Sequence, residues 1–365
     1  MHSEHDDPGL DIEGANQDIG FFERYLSLWV ALCIGAGILI GQFLPFVPDT
    51  LGEMEYAQVN LPIAVLIWVM IFPMMLQIDF KSIVGVREEP KGLTITLVVN
   101  WLIKPFTMFA FAWFFFTAVF DPFITEELQT QYLAGAVLLG AAPCTAMVFV
   151  WSYLTDGDAP YTLVQVAIND LIMLFAFAPI VMILLGLGDI IVPWETVMLS
   201  LILYVIVPLV AGYATRTILI NSRGKEWFEE KFLPLFGPVT MIGLLATLVL
   251  IFSFQGEVIL DNPLHIGLIA TPLIIQTFFI FIIAYGWAKV WKVRHCIAAP
   301  AALIGSSNFF ELAVAAAIIM FGIDSGAALA TTVGILVEVP VMLALVAIAN
   351  RTKQYFPGAE DGESL

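Results

Sequence analysis

The sequence predicts an all-α polytopic membrane protein: ten transmembrane helices in a five-plus-five inverted repeat, with the fourth and ninth discontinuous and crossing. Three observations carry that expectation. The 365 residues are 60% hydrophobic and only 13% charged, and apolar runs recur along the whole length. A water-soluble domain carries about twice that charged fraction, and a bilayer-spanning helix needs about 20 apolar residues. Thirteen of the fourteen Lys and Arg residues fall in alternate connections between the apolar runs. Finally, two stretches resemble each other at a constant offset of 165 residues.

Gly, Pro and charge clusters punctuate the chain into spans at roughly 23–44, 60–79, 92–119, 132–154, 161–186, 196–216, 234–254, 263–289, 297–322 and 326–349. Arg24 precedes the first. Lys81, Arg87 and Lys91 follow the second, and Arg216, Arg223, Lys225 and Lys231 follow the sixth. Lys289, Lys292 and Arg294 follow the eighth, and Arg351 and Lys353 the tenth. The opposite connections are acidic, with Asp49, Glu53, Asp121, Glu126, Asp189, Glu195, Glu257 and Asp261 among their residues. Merging or splitting one span would scramble this alternation, and the positive-inside rule then places both termini in the cytoplasm. Residues 1–22 form an acidic polar tail without the basic start of a signal peptide, and 351–365 a second cytoplasmic tail.

The matched stretches are Val137-Leu138-Leu139-Gly140-Ala141-Ala142-Pro143 and Ala302-Leu303-Ile304-Gly305-Ser306-Ser307-Asn308. They lie on spans four and nine, which run in opposite directions, so residues 23–186 and 187–350 read as two inverted five-helix repeats. In such a plan the matched helices break near the bilayer midplane. Pro143 removes a backbone donor and clashes with the preceding turn, and a break of that kind survives in lipid only when buried in protein or lining a cavity. Cys144 follows it directly. A soft thiol at a helix break points to a thiol-seeking solute. A half-helix starting nearby would also aim its positive end at the sulfur.

Four ionisable residues fall inside the spans: Lys104, Asp170, Glu311 and Glu338. Each costs about 2.5–3.5 kcal/mol at the centre of a lipid-exposed helix, so each must pair, face a cavity or be neutral. Glu311, just past the polar break Ser306-Ser307-Asn308, suits a proton carrier. Lys104 is expected to pair with an acid such as Asp170. Asn169-Asp170 and Glu338 are read equally as functional groups and as supports for the broken helices. Gly37 and Gly41 form a GxxxG pair, which signals helix packing.

Other classes find no footing. The net charge of −18 disfavours nucleic acid, which calls for clustered Lys and Arg. Three cysteines at 33, 144 and 296 show neither disulfide-framework nor zinc spacing. No HExxH, GxSxG or P-loop is present, so no enzyme activity, ATP drive or cofactor is expected.

At Pro143-Cys144-Thr145-Ala146-Met147-Val148-Phe149-Val150-Trp151-Ser152 and Ser306-Ser307-Asn308-Phe309-Phe310-Glu311-Leu312 the chain resembles an arsenite-efflux permease, the arsenical-resistance branch of the superfamily containing the bile acid:sodium symporters. Supporting similarity lies at Met70–Met75, Asn100–Phe106 and Thr162–Asp170, whereas Gln77 stands where many relatives have a basic residue. The resemblance implies a core of helices 3–5 and 8–10 against a panel of helices 1, 2, 6 and 7, in the cell membrane. It implies Cys144 as the essential cysteine, a transient As(III) ligand, and Glu311 as the coupling glutamate. The cargo would be As(OH)3, exported in exchange for protons, with Thr145, Ser306, Ser307 and Asn308 hydrogen-bonding its hydroxyls. Whether antimonite is carried too stays open. The alternative on the same fold is a sodium-coupled organic-anion symporter, with a passive channel or a membrane receptor further behind.

Overall fold

The computed structural model describes residues 26–56, 59–77, 90–145, 147–190, 194–261 and 263–357. The acidic tail at 1–22 lies outside these, as do Arg24, Lys81 and Arg87 of the charge pattern and the last eight residues.

Almost everything described is helical. α1 (Leu26–Phe43) is followed, across a 95° bend at Leu44-Pro45, by the short α2 (Phe46–Gly52). A two-residue hairpin, β1 (Glu55–Tyr56) with β2 (Val59–Asn60), leads into α3 (Leu61–Gln77). Then come α4 (Pro90–Val119), α5 (Glu126–Ala141), α6 (Val148–Leu154), α7 (Ala159–Leu187) and α8 (Trp194–Arg223). The chain continues through α9 (Phe236–Asp261), α10 (Pro263–Val290), α11 (His295–Ser306), α12 (Phe310–Phe321) and α13 (Gly326–Thr352). Six stretches are long and apolar enough to cross a membrane: α4, α7, α8, α10, the run Lys225–Gly256 and the run Gly326–Tyr355. The bent pair α1–α2 makes a seventh.

Local chemistry sets the boundaries. Thr125 Oγ1, Asp158 Oδ1 and Ser325 Oγ accept from the first-turn amides of α5, α7 and α13, satisfying donors that a helix start leaves open. Before Pro105 and Pro208, α4 and α8 widen to i→i+5 turns at Val99–Ile103 and Ile202–Ile206. The proline ring cannot sit against the carbonyl four residues back, and a wider turn relieves the clash.

Two glycines let α1 and α9 approach closely. A Cβ built at Gly37 would lie 2.6 Å from Val249 O, and one at Gly41 2.4 Å from Ser253 O. Backbone blocks both positions, so α1 packs on α9 as the GxxxG spacing predicts. Gly41→Val is expected to lower stability by about 1–3 kcal/mol through overpacking. Thermal unfolding in detergent checks it; an unchanged midpoint would contradict this packing.

The helix ends are tied at both poles. At one, Lys91 Nζ donates to Trp291 O at 3.1 Å, Lys353 pairs with Asp156 at 3.1 Å and Asn350 Nδ2 donates to Leu154 O at 2.9 Å. At the other, Gly326 N donates to Gln131 Oε1 and Gln255 Nε2 to Ile323 O, both at 2.5 Å. Tyr132 and His265 join there at 2.6 Å.

Two expectations need correction. Arg216 is not a loop residue: α8 continues to Arg223 and ends at Gly224, whose φ of 89° suits glycine. Buried Arg216 instead donates to Leu76 O at 3.0 Å, capping the end of α3. The last tail does not begin free at 351 either, because α13 runs on to Thr352 and Phe356 is buried against Tyr285 and His295.

Candidate functional site

α5 stops at Ala141 and helix resumes only at Val148; α11 stops at Ser306 and resumes at Phe310. In the first gap Pro143 has no amide to offer. In the second, Ser and Asn side chains compete for backbone groups. Ala142 and Ser307 are extended, and the two unwound segments meet as an antiparallel bridge between Pro143 and Asn308. Phe309 N donates to Ala142 O at 3.0 Å. Pro143 and Asn308 are the very residues that the 165-residue offset matches.

A cation and an anion hold the second gap. Lys104, fully buried on α4, donates from Nζ to Ser307 O at 2.5 Å. Glu338, buried on α13, accepts through Oε1 from the Ser307 hydroxyl and from Asn308 N, the latter at 3.2 Å. Carbonyl and amide of the unwound strand are thus served by opposite charges, as buried ions require. Lys104 and Glu338 also lie within electrostatic reach of each other, joined through the Ser307–Asn308 peptide that both hold.

Lys104 does not meet Asp170. Asn169 is the residue of α7 that turns toward α4: its Oδ1 accepts from Asn100 Nδ2 at 3.0 Å and Trp101 Nε1 at 2.9 Å, and its Nδ2 donates to Gln165 O at 2.8 Å. One helical step rotates Asp170 about 100° from that face. Asp170 is buried with Oδ1 lacking a hydrogen-bond partner. Gln165, one turn before Asn169, accepts from the Thr96 hydroxyl and completes a polar layer between α4 and α7. Sequence reading missed Thr96, Asn100 and Gln165 as a set, although the i,i+4 pair Gln165 and Asn169 in an apolar span was the available signal.

Cys144 and Thr145 lie buried in the first gap. The Cys144 thiol lies beside the Ser307 side chain and within electrostatic reach of Glu338, Glu311 and Lys104. The half-helix expected near this sulfur is α6: its cap Met147, three positions past Cys144, turns its backbone toward the thiol, and with seven residues α6 carries only a small dipole. Glu311 is better placed, in the first turn of the twelve-residue α12. It is fully buried, and neither carboxylate oxygen has a hydrogen-bond partner from another residue. Asn308 Oδ1 and Glu338 Oε2 are likewise buried without partners. Ser306 donates its hydroxyl proton back to Ala302 O at 2.8 Å, so only its oxygen remains to greet a ligand. Among the described residues no group of three His, Cys, Asp or Glu side chains converges as a metal site would. The site therefore offers one sulfur, one unpartnered carboxyl and a few amide and hydroxyl groups, all buried.

The model of the Sodium Bile acid symporter family matches residues 64–262. An arsenical-resistance protein Acr3 of Alkaliphilus metalliredigens is 64% identical over 339 residues, covering 93% of this chain and 95% of that protein. An uncharacterized transporter of Synechocystis is 48% identical over 94% of this chain and 92% of its own length. An Acr3 of Corynebacterium glutamicum is 33% identical over 90% of this chain and 88% of its own. Several apolar helices and this kinship together make the protein a multi-pass membrane transporter and not an enzyme. The chain belongs to the Sodium Bile acid symporter family, on the branch that holds the arsenical-resistance proteins.

Proposed function

We propose that this protein exports arsenite from the cytoplasm in exchange for protons, and so confers arsenical resistance. One observation carries the reading: two helix breaks meet at Pro143 and Asn308, setting the Cys144 thiol against Ser307 with Glu311 nearby. The Acr3 relatives' name supports the cargo.

Ten spans, 23–186 inverted against 187–350, form the scaffold. The bridge between offset-matched residues supports it, because an inverted repeat brings equivalent positions together on its pseudo-twofold axis. The core is helices 3–5 and 8–10, the panel helices 1, 2, 6 and 7, in the cell membrane with both termini cytoplasmic. The sidedness gains support from Lys91 meeting Trp291, and Lys353 meeting Asp156, at one pole.

Arsenite at neutral pH is uncharged As(OH)3, small, rich in hydroxyls, with a soft centre that prefers sulfur. A neutral cargo gains nothing from membrane potential, so uphill export needs an ion. One proton entering down 100 mV supplies about 2.3 kcal/mol, enough for a gradient of roughly 50-fold. The Cys144 thiol exchanges for one hydroxyl of As(OH)3: an S–As bond forms as that hydroxyl leaves with the thiol proton as water, and on release water adds back to give As(OH)3 and the free thiol. Thr145, Ser307, Asn308 and the Ser306 oxygen meet the two remaining hydroxyls. Protonation of Glu311 from outside then displaces the cargo and lets the core return past the panel. Antimonite, with the same charge and softness, fits the same groups.

Everted vesicles test this directly: an imposed pH gradient should drive arsenite uptake with or without sodium. Uptake that needs sodium and ignores the pH gradient would favour the organic-anion symporter design instead. Glu311→Gln, which keeps shape but cannot cycle a proton, is expected to remove pH-driven uptake by at least about tenfold while arsenite binding persists. A variant that still exchanges protons for arsenite would remove Glu311 from the coupling role.

A further inference from the structure

We propose that Lys104 is a resident cation: its ammonium holds the position at the unwound strand that an inorganic coupling cation would otherwise fill, so the carrier needs no sodium. This rests on the transport reading above and extends it to ion choice.

The geometry is that of a cation site already filled. An unwound carbonyl inside a bilayer is a natural ligand for a small cation. Here the Ser307 carbonyl points at Lys104 Nζ, 2.5 Å away. The Glu338 carboxylate that would balance the ion's charge lies across the same peptide, bound to Ser307 Oγ and Asn308 N, and its charge reaches Lys104. Lys104, Ser307 and Glu338 are all buried, so their charges are compensated by one another and by the unwound backbone and not by bulk solvent.

The side chain is also held in place from behind. The widened turn Val99–Ile103 before Pro105 sets the phase of α4, with Asn100 and Trp101 fixed on Asn169. An ammonium delivered this way sits permanently at the break and cannot dissociate. A free sodium ion entering the same place would meet its positive charge at close range. The family is named for sodium symport, and a built-in ammonium lets the same fold work without that ion.

The test uses the full-length protein and two substitutions. Lys104→Ala removes the charge and leaves room for an ion; Lys104→Met removes the charge and fills the room. Wild-type arsenite uptake and thermal stability in detergent should be the same in sodium as in choline chloride. Lys104→Ala should lose at least tenfold in sodium-free uptake. Sodium or methylammonium should raise its melting temperature and restore part of the uptake, whereas Lys104→Met should respond to neither. Stabilisation is read without any cargo, so it stands apart from the arsenite reading, which fails separately if the wild type does not move arsenite. A Lys104→Ala protein indifferent to every cation overturns the proposal, and so does one that cannot be recovered even when produced and extracted in sodium. Sodium dependence of the wild type overturns it as well.

Discussion

Cys144→Ser is expected to reduce arsenite efflux by about 100-fold or more, close to 2.8 kcal/mol at about 1.4 kcal/mol per decade. The substitution exchanges the one soft ligand at the break for a hard oxygen, which a soft metalloid binds poorly. Folding should survive. The serine hydroxyl faces the Ser307 hydroxyl, so it finds a partner, and the net change in stability stays within about 1 kcal/mol. Arsenite uptake into everted vesicles, beside a thermal melt of the same preparation, separates the two effects. Full efflux by a serine variant ends the thiol reading. Cys33 and Cys296, half-buried in other surroundings, should tolerate serine with little loss.

The second large effect is structural. Glu338→Leu strips the acceptor from Ser307 Oγ and Asn308 N and leaves the Lys104 charge without its counter-charge. Leaving a buried charge uncompensated and a buried amide without its acceptor costs about 3–5 kcal/mol, a large share of a typical protein's stability. We expect Glu338→Leu to fail to accumulate in the membrane or to unfold at much lower temperature. Adding Lys104→Met should recover part of the loss, because the orphaned charge goes with it, and groups in one network do not add. If the double variant is as unstable as the sum of the singles, Lys104 and Glu338 act independently. Glu338→Gln keeps an acceptor oxygen without the charge and should fall between wild type and Glu338→Leu.

Much of the site was legible in the chain. Pro143 next to Cys144 in an apolar run, and the Ser306-Ser307-Asn308 interruption 165 residues later, marked both breaks. Backbone chemistry alone predicts them, because proline and clustered Ser/Asn disturb a helix wherever they occur. The Gly37 and Gly41 packing was readable for the same reason: spacing along one helix specifies a face.

Partner choice was not legible. Lys104 was expected to pair with an acid such as Asp170, because both are charges inside apolar spans. Which charges meet depends on helix rotation, set here by Asn100 and Trp101 gripping Asn169. Glu338 stood as one acid among several until the tertiary structure placed it on the Ser307–Asn308 peptide. The strength of the field at Cys144 likewise depended on where α6 resumed.

By itself, then, the sequence determined a helical membrane chain and the places where its helices must unwind, because these follow from local propensity and from the intolerance of lipid for charge and open backbone. Only the tertiary structure decided that the two unwound segments face each other and that an ammonium and a carboxylate pin one of them. Those contacts join residues 30 to 203 positions apart, and such distances close only when the whole bundle packs.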